Sequence, residues 1–480
     1  MAAMFLTCIL CCFTFPLAMA EYGIVYPTLL TARDSEGKKI LKVNERMTLN
    51  LEKSEVFSGD FMFVTEENGK RTHLLMSKDE YERDLYHDQS LMAALLVRSD
   101  DAVQVEGIIN DSLRIKPLLE MPRSIDGHIP HKLYEMPPRT EIPQTHRDYK
   151  PANITETGQS SSAYVEARSK DKKYYPEVYI VQDYVHAEVF KFNKKKVVEY
   201  FSVFCAAVNL RYATNRGIKI QLRIAGITMS TTEEKYMVYP GSNRYEILDE
   251  QTLAEFNKYY QSKIEFTESD LVFLVTGRDM VFYEQGVLQY WVGGYSYIAG
   301  FCQQSKVGMS EDPPGSFYGV QVFAHEIGHS LGCVHDQSQA EPSVPGHQGS
   351  EACSWYDSYM MSYAMTDSRM YSFSKCCIAD IKNVLSRSEW SCLRTRNPKS
   401  KRPKGLPGQY VSGNEYCTRC YPGRNGMHYN QAYGIQNCKI KCQDSQDSYI
   451  LGAPDGVPCD LARRGSRQCQ LGECTKKRTK

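Results

Sequence analysis

Residues 325–336 read HEIGHSLGCVHD, and the three histidines among them, His325, His329 and His335, stand at spacings one metal ion can use. In a helix, side chains four residues apart share a face one turn apart, so His325 and His329 can offer two imidazoles to one ion. Gly332 accepts the left-handed backbone that ends a helix and turns the chain, which lets His335 return as a third ligand. Three protein ligands leave a coordination position open, as a catalytic zinc site requires and a closed structural site does not. Glu326, beside the first ligand, is then placed to take a proton from zinc-bound water and pass it to a leaving amine, which is metal-assisted peptide hydrolysis. Coincidence and a structural zinc site are the alternatives, and the second leaves Glu326 without a task.

The elements that must position these residues are also legible. Val320, Phe323, Ala324, Ile327 and Leu331 recur at helical spacing and form an apolar stripe, with His325 and His329 on roughly the opposite side. Upstream, Val178–Val181 reads as a strand, and Lys194–Ala213 as a helix with Val197, Tyr200, Phe201, Phe204 and Val208 at core spacing. Ile218–Ile224 alternates as a strand, Leu253–Gln261 forms a second helix, and Leu271–Thr276 is a buried strand. The pattern predicts an α/β (α+β) catalytic domain in which helices pack on a mixed, twisted sheet.

The chain has 480 residues, 42% hydrophobic and 24% charged, an ordinary globular composition with length for two to four domains. Its net charge of zero conceals a division: residues 394–480 hold 17 Lys and Arg against 6 Asp and Glu, leaving 40 against 51 upstream. Residues 1–20 are apolar, carry no charge and end Ala18-Met19-Ala20, which predicts a cleaved signal peptide and a secreted, extracellular protein. No later stretch approaches 18 continuous apolar residues, so no membrane anchor is expected, nor any nucleic-acid partner. Of 17 cysteines, Cys8, Cys11 and Cys12 lie in the leader, and the remaining fourteen fall between Cys205 and Cys474. An oxidising compartment would join these in up to seven disulfides.

Residues 21–170 lack cysteine and contain short strand-like runs such as Phe61-Met62-Phe63-Val64, which predicts a β-rich region. The segment from Pro137 to about Ser169 is rich in Pro, Ser, Thr and charge and reads as a linker. Asn110 and Asn153 begin glycosylation sequons. A region of this kind ahead of a protease suggests a propeptide, with an independent binding domain as the alternative. It has no thiolate to place on a metal, so any latency must be steric or use another ligand. The basic cluster Arg168–Lys173 lacks a clean Arg-x-x-Arg cleavage signal.

Taken together, HEIGHSLGCVHD with Asp336 after the third histidine, YPEVYIVQD at 175–183, SDLVFLVTGRD at 269–279 and GYSYIAGFC at 294–302 make residues 174–395 resemble a reprolysin-type metzincin. That unit is the catalytic domain of snake-venom metalloproteases, ADAM and ADAMTS enzymes. Tyr359-Met360-Met361-Ser362-Tyr363 resembles the Met-turn beneath the zinc, aligned on Met361 with Met360 as the alternative. The resemblance implies that His325, His329 and His335 bind zinc, that Glu326 is the general base and that Asp336 anchors the turn. It departs at Tyr363, where reprolysins usually carry proline and astacins carry tyrosine; there a hydroxyl could stabilise an oxyanion, or the ring could merely pack. It also implies structural calcium at Glu177 and Asp270, although Thr395 stands where asparagine is usual, and a Cys302–Cys392 disulfide; the other pairings cannot be read. Seven cysteines fall in this domain, so one is free or reaches elsewhere.

Residues 396–480 comprise a basic linker and a segment whose seven cysteines, Cys417 to Cys474, resemble the disintegrin-like/cysteine-rich module of ADAMTS proteins. Arg464-Gly465 is followed by Ser466, so integrin binding through Arg-Gly-Asp has no support. The basic linker and tail could bind heparan sulfate or matrix, against the plainer expectation of solvated charge. The arrangement is similar to tick salivary metalloproteases, which implies fibrinogen, fibrin or matrix proteins as substrates. A non-catalytic extracellular binding protein acting through its cysteine-rich module is the competing class.

Overall fold

The computed structural model describes residues 21–30, 38–67, 70–137, 147–154, 173–263, 266, 269–394, 412–421, 423–454, 456–459, 467–470 and 472–476. The leader, the 395–411 linker, the Arg168–Lys172 part of the basic cluster and the 477–480 tail lie outside them.

A twelve-stranded sheet runs through the molecule. Its strands are β1 (Phe57–Glu67), β2 (Lys70–Met76), β3 (Tyr149–Pro151), β4 (Glu177–Gln182), β5 (Arg223–Met229), β6 (Leu271–Thr276), β7 (Gly294–Ile298), β8 (Val307–Glu311), β9 (His428–Tyr429), β10 (Lys439–Gln443) and β11 (Ser448–Gly452), with Ile435–Gln436 added beside β10. In space the order is β3, β7, β8, β6, β4, β5, β1, β2, β11, β10, β9. The centre, β8-β6-β4-β5, is parallel, and its strands are runs of Val, Ile and Leu, as a sheet covered on both faces demands. The expected mixed α/β sheet is therefore present.

The N-terminal region enters that sheet. Hairpin β1–β2 pairs in parallel with β5 on one side and with β11 of the C-terminal module on the other, so it joins the two. The remaining N-terminal strands form a nine-stranded sheet that, except at the Thr28–Leu30 and Glu21–Val25 ends, runs from Lys39 to Glu135. Helix α1 (Lys194–Ala213) lies between this second sheet and the motif helix α2 (Val320–Ser330). That position explains why α1 is apolar around most of its circumference, with Val197, Phe201, Phe204, Val208 and Leu210 all buried. Asn193 caps its start by accepting from the Lys196 amide at 3.1 Å. Polar links fasten the seam: Arg98 to Glu199 at 2.7 Å, and Arg114 Nε donating to the Ser316 carbonyl at 2.9 Å.

Three expectations change in detail. The strand expected at Ile218–Ile224 is divided, into Lys219–Ile220 and β5, because Leu222 turns inward and its amide donates to Asn209 Oδ1. The second helix begins earlier, at Asp249. Part of the stretch expected to be linker is strand β3, which pairs in parallel with β7. Cysteines form six bridges among the described residues: Cys302–Cys392 as the resemblance implied, then Cys333–Cys377, Cys353–Cys376, Cys417–Cys442, Cys438–Cys469 and Cys459–Cys474. Cys205, buried in α1, and Cys420 are left without a bridge.

Candidate metal centre and catalytic site

Helix α2 starts under electrostatic control. Asp312, fully buried, accepts the Gly319 amide at 2.8 Å and places a carboxylate at the positive end of the helix. The helix ends where expected, with Gly332 at φ +105° and the Cys333 amide reaching back to the Gly328 carbonyl at 3.0 Å. The Cys333–Cys377 bridge fixes the turn that returns His335.

The structure brings His325, His329 and His335 together. Nε2 of His325 is 3.0 Å from Nε2 of His329 and 3.2 Å from Nε2 of His335. His325 Nδ1 lies 2.7 Å from the Met360 carbonyl, and His329 Nδ1 lies 2.6 Å from the Cys333 carbonyl. A carbonyl only accepts, so each Nδ1 carries the proton and each Nε2 presents a lone pair inward. Burial pushes the His329 pKa down to about 4, which favours the same neutral ring.

The fourth corner is closed by Asp148, which no sequence pattern singled out. Its Oδ1 is 2.9 Å from His329 Nε2 and 3.0 Å from His335 Nε2, and its Oδ2 is 3.5 Å from His325 Nε2. Lone pairs on nitrogen and a buried carboxylate oxygen that finds no donor thus face one point. Ligands at zinc distances of about 2.0–2.1 Å on a tetrahedron stand about 3.3–3.4 Å apart. The observed separations, from 2.9 to 3.5 Å, lie around that spacing, so the donor set fits zinc.

Glu326 is fully buried, and neither carboxylate oxygen has a hydrogen-bond partner among the described residues. Burial first, then the Asp148 charge, pushes its pKa well up. Below the centre, the Asp336 amide donates to the Met361 carbonyl at 2.9 Å, and Asp336 Oδ1 accepts from Ser374 at 2.6 Å. A Cβ on Gly328 would stand 2.8 Å from Met361 Sδ, so the methionine packs directly under the helix. Tyr363 stacks on His325 with ring centroids 4.4 Å apart, and its hydroxyl donates to Asp148.

The cleft beside the histidines is filled by residues 147–151. The Ser296 amide donates to the Asp148 carbonyl at 3.1 Å, Tyr149 packs 4.5 Å from His329, and Arg147 pairs with the buried Glu341 at 2.6 Å. Two large clefts, about 940 and 530 Å³, lie instead along the seam between the N-terminal region and the α1 side of the molecule, and neither borders the motif.

The other expected residues lie apart from this centre. Asp270 Oδ2 accepts the Glu177 amide at 2.9 Å, next to the Cys302–Cys392 bridge, and burial raises the Asp270 pKa to about 6. Asn110 sits in the turn before Leu113, and Asn153 is exposed just after β3. Sequence reasoning also missed His347, which lies 2.8 Å from the Gly332 carbonyl and 3.3 Å from Asp380 and so braces the turn after α2.

A reprolysin model described as "Metallo-peptidase family M12" matches residues 176–374. The protein "A disintegrin and metalloproteinase with thrombospondin motifs like" of Bombyx mori is 27% identical over 315 residues, covering 62% of this chain and 44% of that protein. "Venom metalloproteinase BumaMPs1" of Olivierus martensii is 26% identical over 377 residues, 76% of this chain and 91% of that one. "Venom metalloproteinase antarease TserMP_A" of Tityus serrulatus is 26% identical over 385 residues, 77% and 92%. The chain thus spans under half the length of the silkworm relative and about nine-tenths of the scorpion ones.

Proposed function

We propose that the chain, whose residues 176–374 match the reprolysin model of family M12, is a zinc metalloendopeptidase that hydrolyses extracellular proteins, fibrinogen, fibrin or matrix proteins among them. The observation that carries this is the facing of His325, His329 and His335 Nε2 atoms beside a buried Glu326 whose oxygens are unspent.

His325, His329 and His335 would hold the zinc, which when bound would lower the pKa of a water and polarise the peptide carbonyl. Glu326 would take the proton of the attacking water and return it to the leaving amine. Tyr363 donates its hydroxyl to the developing oxyanion. Strand β7 offers the backbone edge along which an extended substrate lies, the place β3 now occupies. Met361 and Asp336 hold the floor.

The same proposal takes residues 1–20 as a signal peptide, 21–170 as propeptide and linker, 171–395 as the protease domain and 396–480 as a basic linker and cysteine-rich module. Secretion, modification at Asn110 and Asn153, and contact of the basic segments with heparan sulfate or matrix belong to it. Among the described residues no helix is long and apolar enough to cross a membrane. Glu177 and Asp270 are assigned to a structural calcium, since a cation there offsets the cost of burying Asp270; an unchanged melting temperature on adding Ca²⁺ removes that assignment.

A purely binding role through the module is disfavoured because the ligand set and Glu326 are complete. The deciding experiment incubates mature protein and its Glu326→Ala variant with fibrinogen or gelatin, with and without a chelator. Cleavage by the parent alone, abolished by chelation, is expected; equal cleavage by both proteins sinks the mechanism.

A further inference from the structure

We infer that Asp148 is a carboxylate latch, a fourth protein ligand that holds the enzyme latent by occupying the coordination position water and substrate need. The inference rests on the zinc centre proposed above and adds its regulation.

The geometry supports a built ligand in preference to a chance neighbour. Asp148 is fully buried, within 2.9–3.5 Å of all three histidine Nε2 atoms, and held on its other oxygen by Tyr363. With three histidines it completes a four-coordinate set, the composition that closes a zinc site. Its main-chain carbonyl is engaged by the Ser296 amide, so a side-chain carboxylate, not a peptide carbonyl, is presented at the centre. The segment therefore lies in the cleft without offering a bond for cutting.

The surroundings keep it there. Strand β3 pairs with β7 over Tyr149–Pro151, Arg147 reaches Glu341, and Lys150 reaches Glu250 at 2.5 Å. Because the N-terminal region is docked on α1 and β5, the latch acts intramolecularly, at an effective concentration a free carboxylate never reaches. Residues 21–204 contain no cysteine, so a carboxylate takes the place a thiolate would hold.

The test uses the full-length, zinc-loaded chain in a Glu326→Gln background, which prevents self-cleavage, with and without Asp148→Ala or the isosteric Asp148→Asn. Zinc content, the rate of zinc transfer to a chromophoric chelator, and the affinity of a peptide hydroxamate are measured on each. If the latched site is open about 1% of the time, freeing it tightens hydroxamate binding about 100-fold. Loss of one ligand should also speed zinc transfer at least about tenfold. Asp148→Asn keeps the shape and serves if the alanine variant does not fold. Zinc-loaded, folded variants that bind the hydroxamate as weakly as the parent and release zinc at the parent's rate overturn the latch and leave strand β3 as a purely steric block. A parent chain that binds the hydroxamate tightly overturns it too. A parent chain that holds no zinc overturns the metal centre instead.

Discussion

The Tyr363 hydroxyl donates to Asp148 Oδ2, joining the segment below the third histidine to a residue 215 positions upstream. With the N-terminal region in place, that hydroxyl is used by a carboxylate at the metal position. On the proposal that this region is a removable propeptide, its departure would leave the same hydroxyl facing the space where a peptide carbonyl develops charge. In the mature enzyme Tyr363→Phe should therefore lower kcat by roughly 10²-fold and leave KM nearly unchanged, as loss of one oxyanion donor does. Steady-state kinetics on a fluorogenic peptide decide this. An unchanged kcat restricts Tyr363 to packing against His325 and Trp355.

Cutting the 155–172 connection should not by itself release the N-terminal region. Phe57, Phe61, Phe63, Leu96 and Ile108 share one buried core with α1, and each such side chain contributes about 1.5–3 kcal/mol. Strand β1 also hydrogen-bonds to β5. After the cut, the two fragments should co-elute in size-exclusion chromatography at neutral pH and separate only in denaturant. Separation on cutting alone would show that the shared core does not hold the two parts.

This interlock marks where the sequence was readable and where it was not. HEIGHSLGCVHD states its chemistry because its ligands lie within one helix and one turn, so local spacing determines geometry. The same holds for α1 and for β4 and β6, whose apolar patterns are local. Asp148 carries no such signal: it lies in a Pro- and Ser-rich stretch, and its meaning arises only when a short strand pairs with β7 far along the chain. The absence of cysteine upstream left a steric block or another ligand, without saying which. Hairpin β1–β2 alternates like any half-buried strand pair, and nothing in it says that its partners are β5 and β11. Edge pairings and disulfide connectivity are set by the assembled fold.

His73 makes the contact between that hairpin and the module sensitive to acid. It is opposite Tyr449 in the β2–β11 pairing, with ring centroids 3.8 Å apart, and its Nε2 has no partner among the described residues. Burial, with the Arg71 and Arg424 charges behind it, pushes its pKa from 6.5 down to about 2. The fold accepts only the neutral ring. Its contribution is complete above pH 6.5 and is lost as pH falls from there toward about 2, by roughly 1.4 kcal/mol per unit. Hydrogen exchange at residues 439–452 should accelerate between pH 7 and pH 5 beyond its intrinsic pH dependence, and His73→Phe should flatten that excess. A variant with the parent's full pH response would place the sensitivity elsewhere.

Gly294 is fixed by the catalytic carboxylate. A Cβ added there would lie 2.5 Å from Glu326 Cγ and 2.6 Å from its Oε1, closer than such atoms approach. Glu326 is enclosed, so it can yield only by moving its carboxylate away from its present position. The three atoms nearest that methyl all belong to Glu326, while His325 and His329 are held by the carbonyls of Met360 and Cys333. Gly294→Ala should therefore keep stoichiometric zinc while kcat falls by roughly 10²-fold, the lower end of what a positioned acid–base group contributes. Zinc analysis beside peptide kinetics separates the two effects. Parent-like kcat would mean that Glu326 has room to adjust, while loss of zinc would mean that β7 supports the metal centre itself.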